Sequence, residues 1–167
     1  MIFQTSRLCI KKLTIDEFEP FFQLHSDPQV MNPIPAPILN FDASRQELNR
    51  ILSAYKVKDH RLRVYGVSLL ENNKFIGLCA IISTDSHSRS IGYRFLTEYW
   101  KRGFGTEVTE GLISYLKQNK KIHKIHAAVA KDNLASKKIL KKFMVFTKDE
   151  LDTESDSYES HFELQIE

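Results

Sequence analysis

The sequence predicts one mixed α/β (α+β) domain over residues 1–167, with a mostly antiparallel central sheet of about six to seven strands flanked by helices. Three observations support this prediction. The 167 residues are 42% hydrophobic and 27% charged, which is ordinary for a globular protein. In the first half, short apolar strands alternate with polar turns, which is typical of antiparallel strands. The second half runs strand, helix, strand, and this order predicts a crossover between parallel strands.

The elements of the first half follow from apolar–polar alternation for strands and capping boxes for helices. Thr14 and Ser44 are each followed three positions later by Glu, which predicts a helix start at both, and Pro28 is expected to end the first of the two helices. Residues 31–37 contain three prolines and predict an extended loop. In chain order, the elements are an edge strand at 7–13, a helix from Thr14, a helix from Ser44, and meander strands at 63–70, 75–82 and 90–96.

The second half predicts the crossover unit and an uneven distribution of charge. Its elements are a helix at 107–119, a strand at 122–129, a helix at 133–142 and a last strand at 158–166. Lysines recur from Lys117 to Lys142, and acidic residues dominate from Asp149 to Glu159. These runs predict either a solvated basic face and a solvated acidic loop, or a phosphate-bearing ligand near the lysines and a cationic substrate near the carboxylates.

Several classes of protein and site are disfavoured. The formal net charge of +3 is too small to predict a nucleic-acid partner, and no apolar run approaches the ~18 residues of a membrane span. Without an apolar leader segment, a cytoplasmic location is expected, with Cys9 and Cys79 reduced in the core. His123 and His126 have no third ligand at suitable spacing, so no metal is predicted.

One segment carries a chemical signal, the glycine-bearing turn at 101–106 between a predicted strand and a predicted helix. Gly103 and Gly105 permit a tight turn and leave their N–H groups uncovered by side chains. The first turn of a helix adds unpaired N–H donors and a partial positive charge, which suit a phosphate or pyrophosphate, and Arg102 adds a full charge. A Walker A loop is absent, and a dinucleotide-binding loop needs a third glycine where Val108 stands.

Three segments in register resemble one protein family. The run from Ser90 to Glu107 resembles the acetyl-CoA-binding motif of the GNAT superfamily of N-acetyltransferases. Asn133-Leu134-Ala135-Ser136 resembles its second signature, Asn-x-Ala-Ser before an amphipathic helix. Thr5 to Leu13 resembles the start of its ribosomal-protein N-terminal (alanine/serine) acetyltransferase branch. The resemblance covers nearly the whole chain and implies the acyl-CoA N-acyltransferase fold.

The resemblance also implies the site. Backbone N–H groups of residues 102–106 are expected to cradle the CoA pyrophosphate, and an N–H at the end of the strand at 90–96 to polarise the thioester carbonyl. Ser136 is expected to protonate the leaving thiolate. The residues expected to contact acetyl-CoA, the co-substrate, are Phe95, Leu96, Arg102, Gly103, Phe104, Gly105, Thr106, Asn133, Ser136 and Lys138. Candidates for the base or a further proton donor are Glu98, Glu150, Glu154, Tyr93 and Tyr99.

The acceptor is expected to be an amine, and its identity stays open. The branch resemblance favours the α-amine of a protein or peptide N-terminus, whereas the acidic run from Asp149 to Glu159 suits any cationic acceptor, including an aminoglycoside, a polyamine or an amino acid. A third alternative is a module that binds acetyl-CoA without transfer. Met144 and Val145 stand where the second signature ends in Gly-Phe, which affects the acceptor side. Homodimers are common in this branch, so a homodimer is also expected.

Overall fold

The computed structural model describes residues 1–34, 36–153 and 156–166. Two single 3-10 turns, at Ile15–Glu17 and Thr97–Tyr99, accompany the regular elements. The helices are α1 (Phe18–Ser26), α2 (Pro28–Met31), α3 (Phe41–Ala54), α4 (Phe104–Lys117) and α5 (Leu134–Leu140). The strands are β1 (Phe3–Gln4), β2 (Leu8–Lys11), β3 (Leu62–Leu69), β4 (Phe75–Ser83), β5 (Ser88–Phe95), β6 (Lys124–Ala130), β7 (Val145–Asp152) and β8 (Ser157–Gln165).

The strands form a mixed sheet in the order β1-β2-β3-β4-β5-β6-β8-β7. Strands β5 and β6 pair in parallel, and every other neighbouring pair is antiparallel. The predicted mixed, mostly antiparallel sheet is therefore confirmed, including the parallel crossover pair. In the described residues the sheet has eight strands, more than the six to seven expected.

The additional strands lie at the two edges, where sequence signals are weakest. The two-residue β1 pairs with β2 through Phe3 and Ile10, so the prediction that residues 7–13 form an edge strand was wrong. At the other edge, the acidic run was expected to be a loop, but its residues 149–152 belong to β7 and its residues 157–159 belong to β8, which pair as a hairpin. Ser160 Oγ donates to Asp149 Oδ1 across this hairpin at 2.6 Å. Charged residues are tolerated in an edge strand because one of its sides faces solvent.

The first capping box was predicted correctly and the second was not. Thr14 N–H donates to the Glu17 carboxylate at 2.8 Å, and Thr14 Oγ1 accepts from Asp16 N, so this helix begins as expected. Helix α3 instead begins after Asn40, whose Oδ1 accepts from Ala43 N at 2.9 Å. Ser44 lies inside α3 and is fully buried, because the stripe that packs on the sheet includes its position.

The proline-rich segment differs from the predicted extended loop at its start. Met31 ends the one-turn helix α2, which Asp27 caps by accepting from Gln29 N at 2.8 Å. Pro28 is the first residue of α2, where its missing N–H costs no hydrogen bond. Pro35 lies outside the described residues.

Two apolar clusters cover the two faces of the sheet. One packs α4 and the end of α5 on one face, around Val108, Leu112 and Ile125. The other packs α1, α2 and α3 on the opposite face, around Phe21, Leu48 and Leu78. No helix in the described part of the chain is long and apolar enough to cross a membrane.

Candidate active site

The parallel strands β5 and β6 separate before either one ends. Their pairing stops at Ser90 and His126, although β5 continues to Phe95 and β6 to Ala130. A cavity of about 350 Å³ lies at this gap. Residues from both faces line it, including Tyr93 and Asn133 from the α4–α5 side and His25 and Arg94 from the α1–α3 side. A ligand on one face of the sheet can therefore contact a ligand on the opposite face through this gap.

The glycine-bearing turn opens directly into α4. Gly103 has φ of +81°, a left-handed conformation that favours glycine, and it caps the helix. Helix α4 therefore begins at Phe104, three residues before the predicted start at Glu107. Residues 104–106 are consequently the first turn of a helix rather than part of the preceding turn.

This helix start leaves a group of unpaired donors. Among the described residues, none accepts a hydrogen bond from the N–H groups of residues 102–106, whereas Glu107 N already donates to Gly103 O at 3.1 Å. The positive end of a 14-residue helix lies at the same place. Five N–H donors at a helix start suit a pyrophosphate, as expected for this segment.

An N-terminal clamp, formed by Thr5, Ser6 and Arg7 around the Glu107 carboxylate, holds this turn from outside. Glu107 accepts from Thr5 Oγ1 at 2.5 Å, Ser6 Oγ at 3.1 Å, Arg7 N at 2.8 Å and Arg7 Nε at 2.7 Å. Arg7 Nη1 also donates to Arg102 O at 3.0 Å. Burial alone raises the pKa of Glu107, but the hydrogen bonds from Thr5, Arg7 and Ser6 outweigh it and lower the pKa.

Replacing Glu107 by alanine is expected to loosen the turn. Losing the acceptor of four hydrogen bonds, one from a guanidinium, should lower the free energy of unfolding by about 2 kcal/mol and weaken CoA binding several-fold. Urea unfolding and calorimetric titration with CoA measure both. Glu110→Ala is the matched control, since Glu110 is exposed one turn later on the same helix. Equal effects of the two variants would contradict the clamp.

The end of β5 presents one backbone donor to the gap. Leu96 N donates to Ile76 O at 3.0 Å. In an antiparallel pair every second residue directs its N–H to the partner strand, so Leu96 and Arg94 direct theirs to β4. By that alternation the N–H groups of Tyr93 and Phe95 point away from β4 and toward the gap. Phe95 O accepts from Trp100 Nε1 at 2.8 Å. The donor expected at Phe95 or Leu96 is therefore available at Phe95, while that of Leu96 is engaged.

Ser136, Asn133 and Tyr93 come together beside the cavity. Asn133 caps α5, and its Oδ1 accepts from Ser136 N at 3.1 Å. Tyr93 OH donates a long hydrogen bond to Ser136 Oγ at 3.5 Å. Burial raises the pKa of Tyr93, so the phenol stays protonated at neutral pH. Gly105 lets Tyr93 and Ile139 pack close to the backbone of α4, because a Cβ at Gly105 would lie 3.1 Å from the Tyr93 ring and 2.9 Å from Ile139 Cδ1.

The remaining predicted residues lie at the periphery. Lys138 is exposed on α5, and the Arg102 guanidinium lies over the Tyr99 ring at 5.3 Å. Glu98 is exposed, lies 3.4 Å from Lys74 Nζ and does not line the cavity. Glu150 is exposed beside Lys148 at 2.8 Å, and Glu154 lies outside the described residues. The described acidic candidates for the base thus lie outside the cavity.

Sequence reasoning did not assign a role to four ionisable residues that line the cavity. They are His25, Glu47, Arg94 and Glu159. Burial raises the pKa of Glu159, Asp152 adds to the increase and His161 opposes it, so this carboxylate suits a proton acceptor. Alternation along the predicted strand at 90–96 could have placed Arg94 opposite Tyr93, and Glu159 ends the acidic run that was predicted to suit a cationic acceptor. No sequence signal places Glu47 at the gap.

The cysteines and histidines give no sign of other chemistry. Cys9 and Cys79 are free, and burial raises the pKa of Cys79 to about 12, so its thiol is protonated and inert. His126 lies 3.2 Å from Glu163, and His123 lies beside His87. Across residues 1–34, 36–153 and 156–166, no group of three or more His, Cys, Asp or Glu side chains is arranged to hold a metal ion.

Comparisons with known proteins agree with this arrangement. A family model described as an acetyltransferase (GNAT) domain matches residues 7–143. The uncharacterized N-acetyltransferase YoaA of Bacillus subtilis (strain 168) is 28% identical over 144 residues, covering 84% of this chain and 80% of YoaA. RimL, a ribosomal L7/L12 alpha-N-protein acetyltransferase solved with coenzyme A, has a TM-score of 0.83 at 11% identity, covering 99% of this chain and 97% of RimL. Spermidine N-acetyltransferase from Vibrio cholerae, solved with CoA and spermine, has a TM-score of 0.80 at 17% identity, covering 96% of each chain.

The structural similarities and the family match support different conclusions. At 11% and 17% identity, RimL and the Vibrio cholerae enzyme show that this chain shares their fold. The family model spans both the turn at Gly103 and the helix cap at Asn133, which are the segments that border the gap between β5 and β6. Because that model matches well over half of the sequence, the chain belongs to the GNAT family of acetyltransferases and is an acyltransferase.

Proposed function

We propose that this protein transfers an acetyl group from acetyl-CoA to the α-amine of a peptide or protein N-terminus. The observation that carries the proposal is the gap between β5 and β6, because the cavity there is lined from both faces of the sheet, by Tyr93 and Asn133 on the α4–α5 side and by ionisable residues on the opposite side. One ligand enters from each face, and the Phe95 N–H lies between them.

Acetyl-CoA use is supported by the donor set of the cradle. The five N–H groups of residues 102–106, which have no acceptor in the described part of the chain, suit the negative charge of a pyrophosphate. Two structural neighbours, RimL and the Vibrio cholerae spermidine N-acetyltransferase, were solved with CoA. In this chain Asn133 would meet the pantetheine arm, and the Phe95 N–H would stabilise charge on the thioester oxygen during attack.

The acceptor must lose one proton to become a nucleophile. A peptide α-amine has a pKa near 7.7–8.0 and is partly neutral at neutral pH, whereas a lysine amine near 10.4 is almost fully protonated. An α-amine therefore needs only a weak base. Glu159 is placed to serve as that base, because it lines the cavity and its pKa is raised.

The departing sulfur needs a proton, and two hydroxyl groups can deliver it. Tyr93 donates to Ser136 Oγ, which leaves the Ser136 hydroxyl hydrogen free to donate to another acceptor. Ser136 would then give its proton to the thiolate, and Tyr93 would restore it. Each residue exchanges one proton, so the pair returns to its starting state after the Tyr93 phenol is reprotonated from water.

Two candidate acceptor classes are supported by different neighbours. RimL acts on a protein α-amine and the Vibrio cholerae enzyme on spermidine, as their names state. In this chain the carboxylates Glu47 and Glu159 suit any amine, but Arg94 lines the same cavity and repels a polycation. This cation favours the α-amine over the polyamine.

The test compares substrates that differ only in the attacked amine. A short peptide with a free N-terminus and one internal lysine, the same peptide with a blocked N-terminus, and spermidine are each incubated with acetyl-CoA while CoA thiol release is followed. Turnover of the free peptide alone is expected. Turnover of the blocked peptide would place transfer on lysine, and turnover of spermidine alone would overturn the proposal in favour of the polyamine.

Replacing Ser136 by alanine is expected to lower kcat about 10²-fold, because the thiolate would leave unprotonated. The affinity for acetyl-CoA should change little. Tyr93→Phe should have a smaller effect, since it removes only the donor behind Ser136. Single-turnover kinetics with the free peptide measures both variants, and an unchanged kcat for Ser136→Ala would exclude Ser136 as the acid.

The homodimer, the cytoplasmic location and the absence of nucleic-acid and membrane partners stay predictions of the sequence. Met144 and Val145 stand where the second signature ends in Gly-Phe, and an effect of this change on the acceptor side stays a prediction of the sequence. Met144 is buried in the α4–α5 cluster and Val145 is exposed at the start of β7. The exit from α5 is thus made without glycine, through successive turns ending at Met144 N, which donates to Leu140 O at 2.8 Å.

A further inference from the structure

Arg94 lines the cavity and forms no ion pair with any residue that the structure describes. Its guanidinium donates from Nη1 to Met31 Sδ at 3.2 Å, and this is its single hydrogen bond to another described residue. The charge of Glu47 raises the pKa of Arg94, but the ion-pair partner of the Glu47 carboxylate is Arg50, at 2.6 Å. A thioether is a weak acceptor, so most of the donor capacity of the guanidinium remains unused.

The surroundings of Arg94 leave that charge available to a ligand. His25, from α1, lines the same part of the cavity and is neutral at physiological pH, because burial lowers its pKa to about 4. Its Nδ1 lies 2.8 Å from Phe21 O, and since a carbonyl only accepts, Nδ1 carries the proton. His25 therefore contributes neither a competing positive charge nor an anionic partner.

The register of the sheet places Arg94 across the gap from Glu159. Ser90 pairs with His126 in the parallel ladder, so four further residues along each strand bring Arg94 level with Ala130. Ala130 in turn pairs with Glu159 on β8. Arg94 shares its side of the sheet with Ser90, and the face of His126 continues through Ala130 to Glu159. The two sides of the gap thus carry opposite charges on the acceptor face.

We propose that the acceptor carries a carboxylate close to its reactive amine and that Arg94 binds this carboxylate while Glu159 faces the amine. The inference rests on the proposed α-amine acetylation and narrows its substrate class to amines paired with an anion. The carboxylate has two possible sources: a side chain in the first two positions of a peptide, or the α-carboxylate of a free amino acid. A guanidinium binds either through the same bidentate geometry.

The experiment measures kcat/KM for two matched pairs of acceptors with the wild-type protein and with two variants. The acceptors are two pairs, a peptide beginning Ser-Glu with its Ser-Gln counterpart, and free serine with serinamide. The variants are Arg94→Gln and, as control, Arg89→Gln, since Arg89 lies on the same strand and does not line the cavity. Wild type should prefer the carboxylate member of one pair ~10-fold or more in kcat/KM. Arg94→Gln should abolish that preference, and Arg89→Gln should keep it.

The pair that shows the preference identifies the source of the carboxylate. Equal turnover within both pairs, or a preference that survives in Arg94→Gln, would overturn the inference and leave α-amine acetylation standing. Turnover of spermidine with none of the four acceptors would overturn both. Folding of Arg94→Gln is checked by the rise of its melting temperature with acetyl-CoA. If that rise is lost, Arg94→Lys replaces it and should show a reduced preference, because lysine keeps the charge without the bidentate geometry.

Discussion

Gly77→Ala is expected to be the most destabilising conservative substitution at the gap. A Cβ at Gly77 would collide with the backbone carbonyl oxygen of Arg94 and lie 2.7 Å from Phe95 Cδ1 and 3.0 Å from Phe95 Cα. Backbone atoms cannot move aside by changing rotamer, so β4 and β5 must shift apart. We expect a loss of about 3 kcal/mol in the free energy of unfolding, which is roughly 10 °C in melting temperature for a domain of this size.

The same substitution should also impair catalysis in the protein that remains folded. Gly77 pairs with Phe95, whose N–H points into the gap, so displacing β5 moves the donor expected to face the thioester. Gly92→Ala is the matched control, since a Cβ at Gly92 meets no atom within 4 Å. Urea unfolding of both variants is the measurement. A stability loss at Gly77 no larger than that at Gly92 would show that the close approach of the strands is not required.

Most of the fold was predictable because its signals are local. The capping box at Thr14, the hairpin of β3 and β4, and the parallel crossover each follow from a few neighbouring residues. The sequence predictions fail where a contact between residues that are distant in sequence determines the structure. Ser44 has the sequence of a helix cap but is buried by the sheet, and Asn40 caps α3 instead. The acidic run at β7 becomes a strand only because β8 pairs with it.

The cofactor side of the site was predictable for a similar reason, and the acceptor side was not. The N–H cradle is a continuous segment, 102–106, so its function can be read from consecutive residues. The acceptor pocket combines His25 and Glu47 with Arg94 and Glu159, which lie on four separate elements of the chain. The predicted acidic residue Glu98 stood near the motif in sequence, yet its side chain pairs with Lys74 at the surface. Only the tertiary structure distinguishes the residues that line the acceptor pocket from a surface carboxylate such as Glu98.

His25 should make the stability of the protein fall in mild acid. It is 5% exposed, and its folded-state pKa of about 4 lies below the ordinary value of 6.5. Burial is the main cause, the Phe21 carbonyl opposes it, the charge of Arg94 lowers the pKa further, and Glu47 raises it. Between these two values the unfolded chain binds a proton that the folded chain does not, so stability is full above pH 6.5 and is lost as the pH falls toward 4.

The expected loss attributable to His25 is ~3 kcal/mol across that window. His25→Gln provides the comparison, because glutamine can donate to Phe21 O and does not titrate. Urea unfolding of both proteins at pH 7 and pH 4.5 separates this loss from that of the carboxylates, which both proteins share. A lower stability of the variant at pH 7 does not affect the result, since only the difference between the two pH responses is compared. Parallel pH responses of wild type and His25→Gln would mean that folding does not lower the pKa of His25, and at pH 4.5 the acceptor pocket would then carry two cations rather than the single charge of Arg94.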